Sequence, residues 1–325
     1  MAAQGEKRRL HFLRGVVWTV VALVALTGLA EVSLRLLLGL GHPIVVAPDA
    51  ACSYIEAPNQ HTYRFFHEVN INQYGMRSGA FSPQPAPGSL RIMFVGDSIA
   101  YGTSRVGQSY IFTQILRRGL PAIVHRPVEV LNASASGWAI DNELAYIRSR
   151  GIFHSGLVLL VLNDGDVSQP RALLSAGLSQ DSTYDHPTTA LGELWSRYIK
   201  FKLLGLMPRP RRDQGDAVHM RDEADIRANL IKLNQFQQIV AAAHAQLAVV
   251  YLPFRADLPS RAAAAQAVLH QWTAAQHVPL FDLTAAEEAQ PTTAITLDGG
   301  HFNVRGNRLV ADGIERQWPS VLGSH

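Results

Sequence analysis

The chain has 325 residues, 47% hydrophobic and 17% charged, which suits one sizeable core with an appendage and excludes a disordered protein. Its formal net charge of +3 comes from Lys7, Arg8, Arg9 and Arg14 set against Glu6; the remainder carries 25 basic and 25 acidic residues, so the basic face of a nucleic-acid binder is absent. A single cysteine, Cys52, excludes an intrachain disulfide and a cysteine-based metal site.

The basic cluster makes residues 1–15 a cytoplasmic tail. Val16–Ala30 is almost unbroken apolar sequence and continues through Glu31 and Arg35 to Leu40. A bilayer needs about 20 apolar residues, so 16–40 is long enough to cross one. Glu31 and Arg35, four apart, share a helix face and can pair near the far interface. The preceding positive charge keeps the N-terminus cytoplasmic and puts the chain beyond residue 40 outside the inner membrane, periplasmic or extracellular. A cleaved leader ending at Gly28-Leu29-Ala30 is the alternative, and it exports the same domain.

Residues 41–88 read as a linker closing on the proline-rich run Phe81–Gly88. Within it, Asn70–Arg77 is expected to form a small hairpin near the catalytic edge, with Arg77 either structural or touching substrate. From 89 to 325 short apolar runs alternate with helical patterns. The strands expected are 91–95, 128–131, 157–162, 247–252 and 278–283. The helices fall near 111–118, 141–150, 261–276 and 303–318, with helical spacing from Ile226 to Val240. That alternation predicts a three-layer α/β/α sandwich around a parallel five-stranded sheet. Residues 166–225 interrupt it as an insertion without strand signal. It carries an amphipathic helix, Leu191–Leu206, that suits packing on the domain edge, a lid or a membrane surface.

Ligands of open parallel sheets bind beyond the carboxyl ends of the strands. Four such ends carry Gly96-Asp97-Ser98, Asn132-Ala133-Ser134-Ala135-Ser136-Gly137, Asn163-Asp164 and Asp298-Gly299-Gly300-His301. Acyl transfer needs that set. A serine hydroxyl requires a base to take its proton, and a carboxylate fixes and stabilises that base. The tetrahedral oxyanion requires preorganised donors. Ser98, His301 and Asp298 are the candidate triad. The backbone N–H groups of Ser98 and Gly137 and the side-chain amide of Asn163 are the candidate oxyanion donors. Asp97 and Asp164 are expected to shape the site by capping helices or holding loops.

Alone, each block is an ordinary turn. Together and in order they resemble the SGNH (GDSL-type) hydrolase family in its membrane-anchored bacterial form, from about Leu90 to Trp318. The resemblance implies a flavodoxin-like fold, a serine esterase and no metal or organic cofactor. One position departs: the family's third block has glycine two residues before the asparagine, where this chain has Val161. The leading expectation is ester hydrolysis through an acyl-Ser98 intermediate, on O-acyl (acetyl) groups of envelope or secreted glycans or on lipid esters. The alternatives are O-acyl transfer to a polysaccharide by the same triad, and a catalytically silent glycan-binding module.

Overall fold

The structure, a computed structural model, describes residues 2–173, 182–200, 203, 217–253 and 259–323. Helix α1 (Ala2–Leu38) comes first. Within it Arg9–Leu38 reaches a mean hydropathy of 2.0, and its most apolar stretch is wholly unburied. Strands β1 (Ile44–Asp49), β2 (Ser53–Glu56), β3 (Gln60–Arg64) and β4 (His67–Ile71) come next.

The large sheet is built from β5 (Leu90–Gly96), β6 (Val128–Ser134), β7 (Leu157–Leu162), β9 (Gln246–Tyr251) and β10 (Leu280–Asp282). Its strands run in the order β10-β9-β7-β5-β6, and every pair is parallel. Numbered within the sheet alone, this is the doubly wound order 2-1-3-4-5, whose switch point lies between β5 and β7. The helices are α2 (Ser98–Tyr101), α3 (Phe112–Val124), α4 (Ile140–Arg150), α5 (Ala190–Glu193), α6 (Ala217–Ala242), α7 (Pro259–Ala275), α8 (Thr284–Glu288), α9 (Thr292–Ile295) and α10 (Val304–Val321).

The strands lack polar alternation because both faces are covered. On one face Met93, Val95, Val158 and Leu160 pack with Leu144 of α4, Phe236 of α6 and Trp272 of α7. On the other, Ile92, Phe94, Leu159 and Val161 pack with Phe112 and Leu116 of α3 and Val310 and Ile314 of α10. Full burial of each such side chain contributes roughly 1.5–3 kcal/mol, so neither helical layer is dispensable.

The expected sheet strands are all present, with β6 reaching Ser134 and β10 confined to Leu280–Asp282. The region before the sheet differs from expectation. Instead of a linker with a hairpin over 70–77, β3 and β4 form the hairpin, while β1 pairs antiparallel with β2. Asn72–Arg77 is a turn held by the Asn72 carboxamide, whose Oδ1 accepts from the Tyr74 and Met76 N–H groups at 2.9 and 3.1 Å. The 166–225 region also supplies a strand, β8 (Ser182–Thr183), parallel to β1. These strands are illegible in sequence because they are two to six residues long and sit on small sheets without a repeating apolar face. Of the expected helix Leu191–Leu206, α5 continues as a π-turn over Leu194–Ile199; residues 201–202 and 204–206 lie outside the described residues.

One fully buried ion pair joins the N-terminal elements. Arg64 donates to Glu193 at 2.6 Å, with both side chains wholly inaccessible, and also to the Gly39 carbonyl at 3.1 Å. Removing one member leaves a buried charge without its counterion. Arg64→Met is therefore expected to cost about 3–5 kcal/mol, largely recovered in Arg64→Met/Glu193→Leu, as measured by denaturant unfolding of the detergent-solubilised chain.

Candidate active site

β5 ends at Gly96, and the chain turns at once into α2. Asp97 caps that helix, its Oδ1 accepting from the Ile99 N–H at 2.8 Å, which fixes Ser98 as the first helical residue. Gly96 has no room for a side chain. An added Cβ would lie 2.9 Å from the Ala100 Cβ and 3.1 Å from the Val161 Cβ. Val161, where the family carries glycine, thus fills the neighbouring strand up to Gly96.

The turn joining α9 to α10 is pinned by the Asp298 carboxylate, which accepts from the His301 N–H at 2.9 Å. The side chains then form a chain across the edge. His301 Nε2 lies 3.0 Å from Ser98 Oγ, and His301 Nδ1 lies 3.0 Å from Asp298 Oδ2. This places the proton of neutral His301 on Nδ1 and leaves Nε2 to accept from the serine. Ser98 and His301 are partly exposed, so a substrate reaches them from solvent.

β7 delivers Asn163 to the same place. Its Nδ2 donates to Asp97 Oδ2 at 3.0 Å, and its Oδ1 accepts from the Gly165 N–H at 2.7 Å. The amide is therefore oriented, with one N–H committed to Asp97. Gly137 comes after β6, whose register sets Ser134 beside Gly96. Its φ of +77° lies in the left-handed region, where glycine avoids the strain of a side chain. The preceding Ser136 carbonyl accepts from the Tyr54 hydroxyl at 2.8 Å, and Trp138 Nε1 donates to the Tyr54 carbonyl at 3.0 Å. The β1–β2 hairpin thus braces the Gly137 loop. Asp164 accepts from the Tyr251 hydroxyl at the end of β9.

Three further groups bear on the site without a mark in the sequence. Arg105, in the loop after α2, donates to Asp298 Oδ2 at 2.7 Å. Nothing in its spacing marks it, because the contact spans 193 positions. Glu143 and Asp166 are fully buried carboxyls within electrostatic reach of Asp97. Burial, then the Asp97 charge, pushes both well above the ordinary carboxyl range. Arg77 has a structural place rather than contact with substrate. It is wholly buried, donating to the Tyr101, Thr103 and Val106 carbonyls at 2.7, 2.6 and 2.6 Å, and so shapes the loop that carries Arg105.

The chain is similar over residues 92–314 to the model of the GDSL-like lipase/acylhydrolase family. It belongs to that family. Hydrolysis of ester bonds is the chemistry of these acylhydrolases. No curated protein matches the chain. Among solved structures it is similar to a lipase/acylhydrolase from Enterococcus faecalis, at 16% identity and TM-score 0.46 over 73% of this chain and 98% of that one. It is also similar to the lipase Lip_vut3 from a goat rumen metagenome, at 14% identity and TM-score 0.48 over 70% and 96%.

Electrostatics at the candidate triad are set by Asp298, Asp97 and Arg105. Burial raises the Asp298 carboxyl, but hydrogen bonds from the His301 side chain and backbone and from Arg105 outweigh it and hold the carboxyl well below its usual range. Burial likewise opposes protonation of His301, yet the hydrogen bond and charge of Asp298 prevail and raise it above the ordinary imidazole value. Arg105 acts on His301 in the opposite sense. An NMR titration should place the His301 midpoint above that of a free imidazole, and Arg105→Gln should move it higher still. A downward move would contradict the assigned polarity.

Proposed function

We propose that the chain is a membrane-anchored serine esterase in which Ser98 is acylated. The observation that carries this reading is the continuous hydrogen-bonded chain from Ser98 Oγ through His301 to Asp298, with 3.0 Å at each step. In acylation, Ser98 Oγ attacks the ester carbonyl carbon while its proton passes to His301 Nε2. Asp298 stabilises the imidazolium without taking the proton. The backbone N–H groups of Ser98 and Gly137 and the second N–H of Asn163 receive the oxyanion. The tetrahedral intermediate then collapses, and His301 returns the proton to the departing alcohol oxygen. Water repeats the sequence against the acyl-enzyme, releasing the acid and regenerating Ser98.

The substrates that fit are O-acyl groups of envelope or secreted glycans, or lipid esters, on the far side of the inner membrane. What supports that place is α1, with basic residues ahead of an apolar stretch long enough to cross a bilayer, which orients the N-terminus toward the cytoplasm.

The test is hydrolysis of a small activated acetyl ester by the purified chain. Ser98→Ala and His301→Ala are each expected to lower kcat by about 10⁴-fold or more, and together by little further, because the members act as a unit. A Ser98→Ala enzyme that keeps wild-type turnover would overturn the reading. With an acylated glycan as substrate, free acid identifies the hydrolase, and label moved to an added acceptor sugar identifies an acyltransferase.

A further inference from the structure

The outer end of α1 is not a free tether. Glu31 accepts from the Ala190 and Leu191 N–H groups at 2.7 and 2.9 Å, so α5 begins against the helix. Arg35 donates to Glu31 at 2.7 Å and to the Thr188 carbonyl at 3.0 Å. Farther along, the Leu38 carbonyl accepts from the Phe65 N–H at 3.0 Å, at the tip of the β3–β4 hairpin. The Phe65 ring meets Tyr198 edge-on at 5.6 Å. Hairpin, α5 and its π-turn therefore form one assembly fixed to the last two turns of α1.

The depth of that assembly comes from helix geometry. Glu31 lies seven residues before Leu38, which is about 10 Å back along the axis toward the N-terminus. Val32, Leu36 and Leu37 are exposed, at 52%, 72% and 58%, so the apolar surface of α1 continues past Glu31 on the side that α5 leaves open. A span starting after Arg14 and about 20 residues long ends near Leu34. Glu31 then falls within the outer leaflet, where a carboxylate needs partners. The Ala190 and Leu191 N–H groups, at the start of the α5 segment, and Arg35 are those partners.

That segment also turns an apolar stripe outward. Trp195, Ile199 and Leu203, at intervals of four, are 55%, 38% and 51% exposed, and Phe66 at the hairpin tip is 65% exposed. Lys200 is exposed beside them. Large aromatic side chains with a neighbouring cation suit the boundary between acyl chains and headgroups.

We propose that residues 188–200, Leu203 and the Phe66 tip form a second membrane contact, a collar on one side of α1 that lies in the outer interface of a phospholipid bilayer. This rests on the reading of α1 as a membrane anchor. The occupant is lipid because the Glu31 and Leu38 contacts hold α5 and the hairpin tip, which carry these exposed apolar side chains, directly against the spanning helix. The collar holds the catalytic domain in one attitude to the bilayer surface instead of letting it swing.

Tryptophan fluorescence tests the collar and the anchor separately. The full chain is reconstituted in phosphatidylcholine/phosphatidylglycerol vesicles, with or without phosphatidylcholine brominated at acyl carbons close to the headgroup. Trp18→Phe leaves Trp195 as the reporter of the collar, and Trp195→Phe leaves Trp18 as the reporter of the anchor. The double variant gives the baseline from the buried Trp138, Trp272 and Trp318. Trp195 is exposed, so its replacement does not threaten folding. The expected result is loss of emission on bromination in both single variants beyond the double variant, with Trp195 emission blue-shifted relative to tryptophan in water. Quenching of Trp18 without quenching of Trp195 would overturn the collar and keep the anchor, including the case in which a second copy or another protein covers the stripe. Absence of Trp18 quenching would overturn the anchor and the collar with it.

Discussion

A parallel sheet buried on both faces sends the carboxyl ends of all its strands to one edge, and the site depends on that constraint. β5 brings Ser98 there, β6 brings Gly137, β7 brings Asn163, and the turn before α10 brings Asp298 and His301. The 2-1-3-4-5 order opens the crevice between β5 and β7, where Asp97 and Asn163 meet at 3.0 Å. That hydrogen bond couples the serine turn to the neighbouring strand end. It is formed by a carboxyl that also caps the serine helix, so orientation of Asn163 and of Ser98 shares one group.

Strand ends alone do not hold loops still. The elements ahead of the sheet supply the bracing. Tyr54 holds the Gly137 loop from one side, and Arg77 gathers the carbonyl of Tyr101 at the end of α2 and two carbonyls of the loop after it. A buried guanidinium with that many acceptors is costly to displace, since each carbonyl would lose its partner out of reach of water. The loop it shapes presents Arg105 to Asp298. The N-terminal strands thus act on the candidate triad without touching it. The same region is tied through Arg64, Glu193 and Gly39 to the end of α1, so α1, brace and candidate site form one connected body.

The sheet is legible in the sequence because its strands are apolar runs between helical periods, and both signals repeat. The candidate triad and oxyanion donors are legible as candidates because their blocks come directly after those strands or in the loop before the last helix. The hidden features share a physical cause: contacts set by tertiary approach leave no local pattern. Arg105 reaches Asp298 across 193 positions, and Glu143 looks like any polar residue of the first turn of α4 until burial is known. Arg77 is visible as a residue of interest but not as a buried one, since an arginine satisfied by backbone carbonyls reads in sequence like one that faces substrate. The short strands before the sheet stay hidden because small sheets with one or two pairings need no repeating apolar face.

The central claim is that Ser98 is the group that becomes acylated. The most direct measurement is intact-mass and peptide-level mass spectrometry of the purified chain after reaction with a fluorophosphonate. The account predicts a single phosphonyl adduct on Ser98, absent in Ser98→Ala and strongly slowed in His301→Ala. An adduct on another residue, or none where a control serine esterase is fully labelled, would contradict it.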